Sequence, residues 1–460
     1  MNVETMLRDG LAGQAASLEL PEDPWPGFAG RERRHRRRRR VRAGAFAVVL
    51  TALVGLQSGV LPMPGWVPGI AIAATNSALL NSPPRGTLAG DAGWQDGMRA
   101  LIEVGNVPGE NWEITDRRDI TFLYASDVGD RRLALVHVPL RLGFLTDQQL
   151  AWYTGPAGAA PAEMVPDSFS RGVEQARSTM YAAADAPGAI AVVGPVGWTA
   201  SISNGHTFGA DGRVRHAPPV TGAVGSGFVE MVVPPTPVMP SPVMTLSRGD
   251  EVITLDVSGW YDGPAHDPDA YRAVAADALG DRDFDPNLLG EWISNAIAVQ
   301  GLALDGLRVE VRWTGMIDGQ PTALFTVQQR PGDGVLAFAV SATGEGASLE
   351  TLRLLLPEQG AAQRPIGWRK HTSTSERTDR MVLVGPPGAT TVTVAVDGGT
   401  PARITLDDTG RGETTVPLDA TSVLLVAYAA DGTEIASSPV PPFEGGPGII
   451  GDSPATRVVP

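Results

Sequence analysis

The chain has 460 residues, a formal net charge of −15, 43% apolar and 19% charged residues, and no cysteine. Such a length holds about two to four domains, and the composition suits packed cores rather than a disordered chain. The lack of cysteine excludes disulfides, thiol catalysis and thiolate-ligated metals.

The charge is unevenly spread. Residues 1–42 hold ten Arg against six Asp and Glu, whereas residues 43–460 hold 26 basic and 45 acidic side chains. An acidic bulk of this kind argues against nucleic acid as a partner.

At the start, Val3, Met6, Leu7, Leu11, Ala15 and Leu18 recur at three- and four-residue steps. That spacing predicts a short amphipathic helix, ended by Pro21, Pro24 and Pro26. A lone helix this short is marginal in water. Val3, Leu7, Leu11 and Leu18 are therefore candidate contacts for a cytoplasmic protein or a membrane surface.

A basic run follows, with Arg36, Arg37, Arg38, Arg39, Arg40 and Arg42 at its end. Directly after it, residues 43–61 contain no charge, enough to cross about 30 Å of hydrocarbon as one helix. The arginines are the topogenic signal, holding residues 1–42 in the cytoplasm and placing the rest outside, with the bilayer as partner. A cleaved signal peptide ending at Ala71-Ile72-Ala73 fits less well, because that site lies well beyond the apolar run.

Residues 62–90 read as a stalk. Beyond them two segments resemble each other at an offset of 189: Ile120–Val138 and Val309–Val327. Phe122, Tyr124 and Leu135 fall opposite Val311, Trp313 and Leu324. Both segments alternate apolar and polar residues around a Gly/Asp turn, which predicts a β-hairpin. Helices are expected upstream of each, near Trp94–Val104 and Leu288–Val299. Downstream, Ala189–Pro195 matches Arg380–Pro386, and short strands then predict a small β-sandwich.

The fold expected is thus α+β: one N-terminal transmembrane helix, then a duplicated pair of an antiparallel α+β unit and a sandwich-like β unit. Repeat 1 would span residues 91–232, a proline-rich spacer 233–243, repeat 2 residues 244–440, and a disordered tail 441–460.

Chemical motifs are sparse. With Lys370 as the single lysine, a phosphate-cradling Gly-x4-Gly-Lys loop is excluded. No nucleophile elbow and no His-Glu-x-x-His helix occurs. His206 and His216 flank Asp211, but no third ligand stands at a metal-binding spacing. Asp281, Asp283, Asp285 and Asn287 alternate like a calcium loop, yet Pro286 and Trp292 occupy the positions of its glycine and bidentate Glu. No catalytic residue, metal site or cofactor is predicted.

The first 75 or so residues resemble single-pass membrane proteins of high-GC Gram-positive bacteria. The resemblance rests on residues 6–15 (MLRDGLAGQA), the run 31–40 (RERRHRRRRR) and the apolar span. Some of that group resemble transmembrane anti-sigma factors, although the zinc-binding Cys pair and paired His of the common pattern are missing here. The expected function is a non-enzymatic, membrane-anchored extracytoplasmic binding or sensing protein. The alternative is an anti-sigma-like regulator that signals through the cytoplasmic helix.

Overall fold

The computed structural model describes residues 78–105, 111–142, 145–171, 175–256, 258–264, 266–343, 347–370, 378–442 and 448–459. The expected amphipathic helix, the topogenic arginines Arg36–Arg40 and Arg42, and the span 43–61 all lie outside these residues. Among the described residues no helix is long and apolar enough to cross a membrane.

The α+β expectation is corrected. Strand makes up 49% of the structure, against three α-helices among the described residues, so the fold is mostly β. The physical reason lies in the hairpin strands. Alternation suggested one buried face, but both faces are covered. Small residues such as Ala125, Ala134, Ala323 and Ala339, all at most 1% exposed, let neighbouring layers approach closely.

The first block begins with helix α1 (Ala92–Leu101), capped by the Asp91 carboxylate, which accepts from Trp94 N at 2.9 Å. Its buried Trp94 and Met98, followed by Ile102, form one apolar face. That face packs on a sheet of β1 (Glu113–Ile114), β2 (Thr121–Val128), β3 (Arg131–Leu142), β4 (Leu145–Pro156) and β5 (Val165–Arg171). The other face of the sheet meets a sandwich. One sandwich layer has β6 (Arg177–Ala183), β7 (Gly188–Val193), β12 (Phe228–Val233) and β15 (Gly259–Asp262). The second layer has β8 (Thr199–Ser203), β11 (Val220–Thr221), β13 (Val243–Arg248) and β14 (Glu251–Leu255). A hairpin of β9 (His206–Phe208) and β10 (Val214–His216) projects between β8 and β11.

The second block repeats this plan. Helices α2 (Pro268–Leu279) and α3 (Pro286–Val299) cover the sheet β16 (Arg308–Ile317), β17 (Gln320–Gln328), β18 (Val335–Thr343) and β19 (Ala347–Leu356). Behind it lie β20 (Ile366–Lys370), β21 (Thr378–Val384) and β24 (Arg411–Pro417). The last layer is β22 (Ala389–Val396), β23 (Ala402–Thr405), β25 (Val423–Ala429) and β26 (Glu434–Pro439).

The strand orders correspond block to block: β12-β7-β6 to β24-β21-β20, and β11-β8-β13-β14 to β23-β22-β25-β26. Irregularities correspond too. The β2–β3 ladder slips between Phe122 and Tyr124, and the β16–β17 ladder slips between Val311 and Trp313, the offset of 189 seen in the sequence. Bulges mark designed features of a sheet, so their recurrence is stronger than a shared hydrophobic pattern. Phe122, Tyr124, Leu135, Val311, Trp313 and Leu324 are all buried.

Several expected boundaries move. Residues 78–90, expected at the end of a stalk, belong to the fold. Leu79 is buried in the core between sheet and sandwich, and Arg85 bridges in parallel to Tyr124 on the edge of β2. The proline-rich segment 233–243 does not separate the blocks; it crosses from β12 to β13 within the first sandwich. It is held there by Thr236 N, which donates to Ala183 O at 3.0 Å, and by Tyr261 Oη, which donates to Thr236 O at 3.0 Å. The first block therefore extends through β14 and β15. The tail expected to be disordered is in fact packed over residues 448–459. Ile449 and Ile450 sit in the core of the second block, where a Gly/Pro-rich composition hid an apolar pair.

Turn chemistry fixes the β16–β17 hairpin. Asp318 (φ 53°) and Gly319 (φ 75°) form the two left-handed positions of a two-residue turn. The Asp318 carboxylate also contacts Lys370 and Arg380, and these hydrogen bonds hold its carboxyl below the usual carboxylate range. A depressed carboxyl contributes stability above its unfolded pKa of about 3.9 and loses it as pH falls through the folded value. Melting temperature measured from pH 6 down to acid should thus fall less steeply in Asp318→Asn than in the parent. Asn keeps the left-handed turn but cannot titrate.

Candidate functional site

The two blocks agree in backbone and disagree in chemistry where the five- or four-stranded sheet packs on the sandwich. In the second block this seam is apolar at four positions of the β19 and β20 strands. Leu352 and Leu354 pair with Ala339 and Ala337, and Ile366 and Trp368 pair with Val384 and Val382. All four side chains belong to one core cluster.

The first block places polar residues at the matching positions. Ser168 and Ser170 on β5 pair with Trp152 and Leu150. Arg177 and Thr179 on β6 pair with Val193 and Ala191. The Ser168 and Ser170 hydroxyls and the Trp152 indole N–H are buried without a hydrogen-bond partner. Leaving such groups unsatisfied costs about 1–3 kcal/mol each, so the seam lowers the stability of the block that carries it.

Asp167 is the extra residue of the β5 bulge, between Pro166 paired to Tyr153 and Ser168 paired to Trp152. Its carboxylate accepts from Thr179 Oγ1 at 3.1 Å. Burial raises its pKa above the ordinary carboxylate value, opposed by the Thr179 hydroxyl and the Arg177 charge. Further along the same face, Thr121 Oγ1 lies 3.2 Å from His137 Nδ1. Burial lowers the His137 pKa, partly offset by a hydrogen bond with Gln148. His137 is thereby kept neutral near pH 7.

A cavity of about 370 Å³ opens at the adjoining end of the first sandwich, lined by Gln175, Arg177, Ser178, Ile253, Leu255 and Asp256. Its rim is braced by Ser178 Oγ, which donates to Asp256 O at 2.7 Å, and by Ser258 Oγ, which donates to Ser178 O at 2.6 Å. The second block closes the same end. Gly367 corresponds to Ser178 in the ladder, and a Cβ there would come within 2.9 Å of Leu425 Cδ1 and 3.2 Å of Val440 Cγ2.

The residues singled out by sequence fall elsewhere. His206 Nε2 lies 3.1 Å from Gln300 O, and His216 Nε2 lies 2.6 Å from Asp452 Oδ1, while Asp211 pairs with Arg215. Asp285 caps α3, accepting from Asn287 N at 2.9 Å. Among the described residues no three His, Cys, Asp or Glu side chains form a metal-binding group. Val3, Leu7, Leu11 and Leu18 lie outside the described residues. The seam itself was missed. Its signal was available only by laying the blocks side by side, as Ser168 and Ser170 against Leu352 and Leu354.

No protein-family model and no curated protein matches the chain. Among solved structures, a chain from a study of host-cell-surface retention of a 1.5-MDa bacterial ice-binding adhesin is 11% identical. The match covers 57% of this chain and 95% of that one, with a TM-score of 0.14, which assigns neither fold nor activity.

Proposed function

We propose that this protein is a membrane-anchored extracytoplasmic binding or sensing protein, and that its first block carries the ligand site. The observation behind this reading is the exchange of an apolar seam in one block for a polar, incompletely satisfied seam beside an open cavity in the other. Two blocks of the same plan need the same packing. A block that gives up Leu, Leu, Ile and Trp for Ser, Ser, Arg and Thr loses stability, and such losses persist where the polar groups serve recognition. The second block, with its filled sandwich, acts as the rigid support.

The anchor in this reading is the apolar span 43–61 behind its arginines. A tag at residue 2 should be protected from protease added to intact spheroplasts, and the chain after residue 61 should be cleaved.

The site is tested by grafting the second block's chemistry onto the first. Ser168→Leu with Ser170→Leu and Arg177→Ile should raise the melting temperature, since a fully buried Leu or Ile contributes about 1.5–3 kcal/mol. The same variant should lose any thermal response that the parent shows to a panel of small polar metabolites. A graft that leaves both stability and ligand response unchanged sinks the assignment of the site.

A further inference from the structure

The second block has a pocket of its own, on the sheet face at the end that the sandwich leaves uncovered. The cavity measures about 130 Å³. The ladder sets its floor: Arg308 pairs with Gln328 and Glu310 with Thr326, so all four project to the same face. Arg312, the bulged residue between Val311 and Trp313, enters from the side. The wall is Glu358 with Ala361 and Ala362, and Val335 completes the lining.

The two neutral side chains of the floor, Thr326 and Gln328, are already committed. Thr326 Oγ1 donates to Glu310 O at 3.4 Å, and Gln328 Nε2 donates to Asp333 O at 2.8 Å. Arg312 is pinned by two donations, to Ala361 O at 3.2 Å and Arg364 O at 3.4 Å. Glu358 Oε1 accepts from Gly332 N at 2.7 Å. These bonds hold Arg312 and Glu358, one charge of each sign, in place before any ligand arrives.

Two guanidinium groups and two carboxylates thus share a space of a few heavy atoms. A simple anion would meet Glu310 and Glu358, and a simple cation would meet Arg308 and Arg312. A molecule that carries both charges a short distance apart satisfies both pairs, and preorganised groups lower the cost of binding it. The apolar part of the lining, Val335 with Ala361 and Ala362, leaves room for a short side chain.

We propose that this pocket binds a small zwitterion, a free α-amino acid with a short side chain. Its carboxylate faces Arg308 and Arg312, and its ammonium faces Glu310 and Glu358. The first-block positions that match Arg308, Glu310, Arg312, Thr326 and Gln328 are Asp119, Thr121, Leu123, His137 and Pro139, which hold neither arginine and no glutamate. The four charges therefore belong to the second block alone, on the stretch of sheet face that carries Thr121 and His137 in the first.

The test is calorimetric titration of the full-length protein with L-alanine, acetate and methylammonium. L-Alanine should bind saturably, and each single-charge fragment should bind about tenfold more weakly or worse. Arg308→Gln and Glu310→Gln should each weaken L-alanine by about tenfold. Arg308 is exposed and at a strand start, so its replacement should leave the melting temperature unchanged. No saturable heat with L-alanine up to about 10 mM, or acetate binding as tightly as L-alanine, overturns the proposal.

Discussion

Ile450→Asp is expected to unfold the second block under conditions in which the parent is stable. Ile450 is 0% exposed, and it lies in the cluster formed by α2, α3 and the β16–β19 sheet. Its amide donates to Gln300 Oε1 at 2.8 Å, while Gln300 Nε2 donates to Gly448 O at 3.4 Å. A single glutamine at the end of α3 thereby clamps the returning chain by both ends of its side-chain amide. Ile450→Ala should cost about 2–5 kcal/mol through the cavity it leaves. The aspartate should cost more, because a buried carboxylate has no partner there. Urea titration followed by tryptophan fluorescence reads the effect, since Trp292 lies in the same cluster. Parent-like midpoints for both variants would show that residues 448–459 are not part of that core.

The second large effect is expected at Gly86. Its φ is +92°, a conformation that side chains rarely adopt, and a Cβ there would lie 2.2 Å from the Ala125 carbonyl oxygen. The close approach exists because residues 85–88 pair along the free edge of β2. Ala125 N donates to Arg85 O at 2.9 Å, and Leu88 N donates to Ala125 O at 3.0 Å. Arg85 then turns inward; its guanidinium donates to Gly194 O and, at 3.4 Å, to Leu123 O. Burial lowers its pKa to about 10, so it remains charged at neutral pH. Gly86→Ala forces this segment off the edge and should destabilise the first block by about 3 kcal/mol or more. Gly90→Ala is the control, because nothing lies within 4 Å of its added Cβ. Equal melting temperatures for the two variants would refute the pairing.

Much of the architecture was legible in the sequence, and the reasons are physical. Hairpins around Gly/Asp turns are local, so the strands near them could be placed. The matching offsets of Ile120 and Val309 carried through to matching bulges. What could not be read was the stacking. Alternation in Phe122–Tyr124 and Val311–Trp313 looks the same whether the second face meets water or another sheet. The layer count therefore came out wrong, and with it the fold class. Helix α2 was missed because its alanine-rich face, with Ala275 buried, gives little contrast against its polar side. The composition of the proline-rich segment 233–243 suggests a spacer, yet prolines are equally at home where a chain passes between two sheets without ladder bonds. Of the candidate site, single residues such as His137 were visible but carried no pattern. Their meaning came from which block they occupy.

Phe208 at the tip of β9 lies in the core cluster of the second block, and Gly334 N donates to its carbonyl at 2.8 Å. That core is closed by Ile449 and Ile450, which meet Gln300 across 150 residues of sequence. Phe208 and Ile450 lie 242 residues apart (450 − 208), so synthesis at about 5–20 residues per second separates these two contributions by about 12–48 s. The hairpin of the first block therefore has no complete core to cover its aromatic tip until residues 449–450 are made. If the chain is threaded through a membrane while being made, that interval is the period in which Phe208 and the half-built sheet edge are open to holding chaperones or to aggregation. A slow-codon or slow-export background should lengthen it and lower the yield of folded protein, whereas Phe208→Ser should lose that sensitivity at the expense of the contact between the blocks.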